Sequence, residues 1–306
     1  VDSESSPRAG PLHGLHGRAE MLARIRLGQP RPSPYREARA IWRRLPILRY
    51  RSVPHHSPET AAARTVPVSL LEEHLHFLTT TGWKLVGVTE ARQLLEENRS
   101  RPVIALSFDD ALLDFLNAYD LIRRFGARAT LYVPTGAVGR RASRWEPRER
   151  SHLGWDELAH LGRAGVEIGS RAVNARAQNG LRVATDEVQA SKNELEDRLG
   201  LHVESFCYPA GVSSAQMRSA ISRAGYASAC TTEFRVASSA DDVLALPRLR
   251  IRPNSTGAGI EEQVQRDRVG FSPPIRRTAS SVWHMTCRTA SRITHGTPQG
   301  YRARRD

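Results

Sequence analysis

Two adjacent carboxylates, Asp109 and Asp110, close the run Val103-Ile-Ala-Leu-Ser-Phe-Asp-Asp110. Side by side, they are suited to taking up a proton and holding a cation. The plainer reading is that an Asp pair at a strand end caps the next helix. Two further stretches carry chemistry-bearing types. Ser205-Phe-Cys-Tyr-Pro-Ala-Gly211 reads as a strand breaking into a turn. Ile168-Gly-Ser170 leads into Arg171-Ala-Val-Asn-Ala175.

The elements around the carboxylates are legible from periodicity. Val103 to Phe108 is a short apolar run bounded by Pro102 and the acids, as expected of a strand buried on both faces. Leu112, Leu113, Leu116, Tyr119, Leu121 and Ile122 recur at helical spacing, with Gly126 at the C-terminal glycine position. Ala129 to Val133 is the next strand. This βαβ unit places Asp109 and Asp110 at the carboxyl end of its first strand, where α/β barrels assemble their chemistry.

About seven such strand–helix repeats are expected over residues 46–252. Leu45 to Val53 is the opening strand. Ser69 and Thr89 are expected to cap the next two helices. Residues 1–45, rich in Pro, Gly and Arg, are expected to be a flexible lead, and residues 253–306 a basic, disordered tail.

The segment around Asp109 resembles the first motif of the polysaccharide deacetylases, the NodB-homology carbohydrate esterases. The ordered series that follows resembles them as well. The resemblance implies a distorted (β/α)7-type barrel and a hydrolase of N-acetyl groups on a polysaccharide or cell-wall glycan. It also implies a divalent metal, usually zinc, held by one Asp and the two histidines of an H-S/T-x-x-H motif. Ser107-Phe-Asp-Asp110 matches the first motif, with Asp109 at the general-base position and Asp110 at a ligand position. Phe206, Tyr208, Pro209 and Gly211 match the third, with the Tyr208 backbone amide expected to hold the oxyanion; its leading arginine is Glu204 here.

The histidines are replaced. In the register set by Ile168-Gly-Ser170, their positions hold Arg171 and Ala175, and the opening-strand histidine is Arg51. No Leu-x-His near the end of the core supplies the general acid. Asp110 is then the only retained ligand position, so zinc is not expected to bind, since three protein ligands are normal for a catalytic site. Arginine cannot ligate a metal, but its planar fork pairs with carboxylates. Arg171 and Arg51 are therefore expected to supply the positive charge that the pair would otherwise take from the ion. The alternative is that they point to solvent. His55 and His56 follow in the loop, either as solvated residues or as stand-ins. Trp145 either stacks on a sugar or packs its loop. Two functions stay open: an impaired deacetylase, or a non-catalytic glycan-binding scaffold on the same barrel.

Composition narrows the classes. The net charge is +13, and all the basic residues except Lys84 and Lys192 are arginine. Residues 1–45 and 253–306 each carry an excess of five positive charges, and the middle only three. Basic arms without a recognition motif point to solvated tails rather than specific nucleic-acid binding. Cys207, Cys230 and Cys287 form no disulfide framework; Cys207 and Cys230 are expected to be buried thiols. No apolar run approaches the roughly 18 residues of a membrane span. The N-terminus shows no signal-peptide stretch, so the chain as given is expected in the cytoplasm, although the resembled family is largely exported.

Overall fold

The computed structural model describes residues 44–55, 65–97, 102–141, 150–174, 185–211 and 213–266. Its centre is a curled sheet of parallel strands: β2 (Ile47–Tyr50), β3 (Lys84–Val86), β4 (Val103–Asp109), β5 (Thr130–Val133), β6 (Glu167–Ser170), β7 (Ser205–Cys207), β8 (Ser228–Cys230) and β10 (Leu249–Arg250). Seven run in the order β10-β2-β4-β5-β6-β7-β8, and β3 pairs with the first residues of β4. A short antiparallel pair, β1 (Arg44–Leu45) with β9 (Ala237–Ser238), lies apart.

The two edges of the sheet meet through one segment. Leu246 forms an isolated parallel bridge with Cys230 beyond β8, and Leu249 pairs with Leu48 of β2. The expected distorted barrel is thus a curled parallel sheet with a seam at residues 246–250.

Strand alternation sorts the side chains. Ile104, Leu106 and Phe108 join the larger apolar cluster with the helices, whereas Ala105 joins a smaller one with Ile47, Tyr132, Cys207, Cys230 and Leu246. Because successive side chains point to opposite faces, Ser107 and Asp109 share the inner face with Ala105. That interior also carries hydrogen-bonded polar side chains. Ser107 Oγ donates to the Leu48 carbonyl at 2.9 Å, and the Tyr132 and Ser205 hydroxyls pair at 2.7 Å. Gly169 is required there: a Cβ would stand 2.6 Å from the Tyr132 ring and 3.0 Å from the Ser205 carbonyl.

The helices α1 (Val68–Thr80), α2 (Val88–Glu96), α3 (Phe115–Arg124), α4 (Trp155–Arg163), α5 (Thr185–Leu199) and α6 (Ala215–Arg223) follow their strands. The expected face of α1 is present, with Leu71, Leu75 and Leu78 buried. The expected caps are not. Pro67 and Gly87 occupy the N-cap positions, and Thr89 instead receives its partner from β6. Glu167 accepts the Thr89 amide at 3.0 Å and its hydroxyl at 2.7 Å, a cap supplied across the barrel floor.

Beyond the expected boundary at residue 252 the chain continues to pack. A helix α7 (Gly257–Arg266) buries Ile260 and Val264 in the larger cluster. Both Glu73 oxygens accept the Gly257 amide, at 3.1 and 2.9 Å. His74 donates Nε2–H to the Ser255 carbonyl at 2.6 Å and accepts the Tyr50 hydroxyl at Nδ1. The apolar positions of α7 recur only twice in ten residues amid polar ones, too sparse a stripe to stand out by period. Residues 1–43 and 267–306, expected to be flexible, lie outside the described residues.

Candidate active site

Asp109 is the last residue of β4, and the chain turns sharply after it. Asp110 and Ala111 have left-handed backbones, with φ of 76° and 46°. The two other described non-glycine residues with positive φ, Ala172 (58°) and Ala210 (54°), stand one residue after Arg171 and within the Pro209–Gly211 turn. A side chain in this region costs roughly 1–2 kcal/mol. All four follow strand ends at one mouth of the barrel, and backbone strain of this kind collects at functional sites.

Asp109 is fully buried and is met by three guanidinium groups. Arg49 on β2 donates Nε–H to Oδ2 at 2.7 Å. Arg248, in the seam, donates from Nη1 to Oδ1 at 2.8 Å and from Nη2 to Oδ2 at 3.3 Å, a bidentate fork. Arg171 places Nη1 3.2 Å from Oδ2. Asp110 is met by two. Arg51 donates Nε–H to Oδ2 at 2.5 Å, and Arg171 places Nε 2.6 Å from Oδ1. Neither that Nε nor that Oδ1 makes a hydrogen bond, so this contact is one of charge and lacks alignment. The aligned hydrogen bond of Arg171 runs from Nη1 to Cys207 Sγ at 2.8 Å. Arg248 Nη2 also donates to that sulfur, at 3.2 Å.

Burial alone would push both carboxyls upward. For Asp109, Arg171, Arg248 and Arg49 outweigh it and hold the group well below the usual carboxylate range. For Asp110, Arg171 and Arg51 overcome both burial and the neighbouring Asp109, again downward. Burial pushes the Cys207 thiol up despite Arg171 and Arg248, so a neutral thiol accepts the two N–H groups. Asp114 behaves in the opposite sense. Burial raises its carboxyl to about 6, although Ser52 Oγ and the Val53 amide donate to Oδ2 at 2.5 and 2.9 Å.

This donor set does not fit a catalytic metal. Both oxygens of Asp110 face guanidinium groups, which repel a cation and offer it no lone pair. Among the described residues, no group of three or more His, Cys, Asp or Glu side chains stands where it could hold an ion. Arg51 and Arg171 sit with the carboxylates rather than in solvent. Ala175, His56, Trp145 and Cys287 lie outside the described residues, and His55 is exposed.

The expected role of Tyr208 meets a structural obstacle. Its amide donates to the Cys230 carbonyl at 3.0 Å, within the pairing of β7 and β8, and is therefore engaged. Its hydroxyl donates to the Leu244 carbonyl at 2.6 Å. Cys207 and Cys230 are buried free thiols opposite one another in register.

Arg49, Arg248, Cys207 and Asp114 are site residues that motif matching did not identify. Alternation was the available signal for Arg49, which stands two residues before Arg51 and so shares its face. For Arg248 no local signal existed, because the closure of the sheet brings it to Asp109.

Comparison with known proteins shows a likeness to one family. The polysaccharide deacetylase family model matches residues 96–229. YxkH of Bacillus subtilis (strain 168), whose name assigns it to the polysaccharide deacetylases, is 24% identical over 227 residues, covering 72% of this chain and 76% of YxkH. The Streptococcus pyogenes deacetylase PplD, solved in complex with acetate, superposes with a TM-score of 0.64 at 26% identity, covering 72% of this chain and 98% of PplD. BC0361, a polysaccharide deacetylase from Bacillus cereus, gives a TM-score of 0.62 at 17% identity over 72% of this chain and 69% of its own, a likeness of fold.

Proposed function

Since the polysaccharide deacetylase family model matches residues 96–229, we propose that this chain is directed at N-acetylated polysaccharide with its metal-assisted hydrolysis impaired. One observation carries the reading: the two family carboxylates are occupied by four arginines, Arg49, Arg51, Arg171 and Arg248. A general base works best with a pKa near the operating pH. Asp109 is held far below it, and its oxygens already accept N–H groups. It is poorly suited to take a proton from water.

The same observation favours a second reading, a non-catalytic glycan-binding or scaffolding protein on this barrel. Acetate release from N-acetylglucosamine oligomers, measured alongside oligomer binding, separates the two. Slow release that disappears in Asp109→Asn supports the impaired enzyme. Binding without release supports the scaffold. Neither binding nor release would overturn both.

A further inference from the structure

We infer that the opening at the carboxyl ends of the paired strands β2 and β10, beside the carboxylates, binds an anionic group, a phosphoryl or carboxylate carried by the ligand. Arg49, Tyr50, Arg51, Arg250 and Ile251 line it, and it opens to solvent. Arg49 and Arg51 each use Nε for a carboxylate; among the described residues, neither uses Nη1 or Nη2 in a hydrogen bond. Arginine's planar fork matches phosphate and carboxylate oxygens in pairs. Arg49, Arg51 and the exposed Arg250 thus border one opening.

The balance of charge points the same way. Arg49, Arg51, Arg171, Arg248, Arg250 and Arg252 cluster here against Asp109, Asp110 and Asp114. With Glu73, which acts on the lining Tyr50, counted as well, two positive charges remain in excess even with every carboxylate ionised. Arg150 stands close enough to act on Asp114 and adds to the same sign. The arginines also crowd one another: beyond the effect of burial, Arg252 and Arg49 lower the basicity of Arg250. Like charges forced together at a concave, partly desolvated opening are relieved by an anion, which gains from all of them at once.

The inference deepens the glycan-directed reading: the preferred glycan would carry phosphoryl or uronic-acid groups and would not be neutral. Thermal melts of the full chain separate the possibilities, using inorganic phosphate, glucuronate, chloride at matched ionic strength, and neutral N-acetylglucosamine oligomers. Phosphate or glucuronate is expected to raise the melting temperature beyond chloride; whichever acts more strongly identifies the group. In Arg250→Gln/Arg252→Gln, whose melt in chloride is the reference, the affinity should fall by about tenfold or more, the loss of charge-assisted hydrogen bonds. No shift beyond chloride, or an equal shift in the variant, overturns the site and would assign any anion binding to the basic arms. If inorganic phosphate or glucuronate binds while N-acetylated oligomers, neutral or uronic-acid-bearing, do not, the anion site stands and the N-acetylated glycan reading falls.

Discussion

The Nε of Arg171 stands 2.6 Å from Oδ1 of Asp110, where the family pattern expects a histidine and an ion. An imidazole there would offer a lone pair to a cation shared with the carboxylate; a guanidinium offers only donors and brings its own charge. The neutralisation of Asp110 is thereby built into the chain. The same side chain reaches Asp109, and Arg49, Arg51 and Arg248 complete the arrangement.

Removing the arginines should reveal a ranking set by burial. Arg248 and Asp109 are both fully buried, so Arg248→Met leaves an acid short of its bidentate partner and should cost about 3–5 kcal/mol. Arg51 is partly exposed, and Arg51→Met should cost about 1 kcal/mol because water screens the loss. Urea denaturation measures both. The sign of the pH dependence checks the mechanism. A depressed carboxyl contributes stability above its unfolded pKa and loses it as pH falls through the folded value. Arg248→Met raises the folded value of Asp109, so its acid-side loss should begin at higher pH than in wild type.

Asp114 should act in the opposite direction. Its folded pKa, about 6, lies above the unfolded value near 3.8, so its contribution is fully present below the unfolded value and is lost as pH rises through about 6. Asp114→Asn keeps an oxygen for Ser52 and Val53 and removes the titration. Relative to wild type, it should gain about 2–3 kcal/mol between acid and neutral pH. A constant difference across that window, measured by denaturation at stepped pH, would mean that the buried carboxyl does not titrate there.

The helix beyond residue 252 should matter for folding. Truncation after residue 252 removes Ile260 and Val264 and uncovers the α1 face they bury, at a cost of about 3–5 kcal/mol. Truncation after Arg266 keeps that contact and should melt close to the full chain. Equal melting of the two truncations would show α7 to be an appendage.

The barrel was legible because each strand end and helix face repeats a period, and the carboxylates were legible because they end a strand. Arg51 and Arg171 came from motif register. Arg49 was hidden in an apolar-looking strand, where one polar residue in Ile47-Leu-Arg-Tyr50 reads as surface unless the inner face is known to be polar. Arg248 lies 139 residues from Asp109 and joins it only through the seam, a relation no local window contains. For Tyr208, a motif identifies a residue without recording that its amide is paired with the Cys230 carbonyl.

The replacement of the ion by guanidinium groups is tested most directly by titrating zinc into the wild-type chain at neutral pH by calorimetry. The pair of substitutions Arg171→His and Ala175→His serves as the comparison, since it returns imidazoles to the two positions where the resembled motif has histidines. The wild type is expected to give no saturable heat, and the double variant to bind and to gain zinc-dependent thermal stability, about 2.7 kcal/mol at free metal 100 times its dissociation constant. One equivalent bound by the wild type and abolished by Asp110→Asn would contradict the replacement.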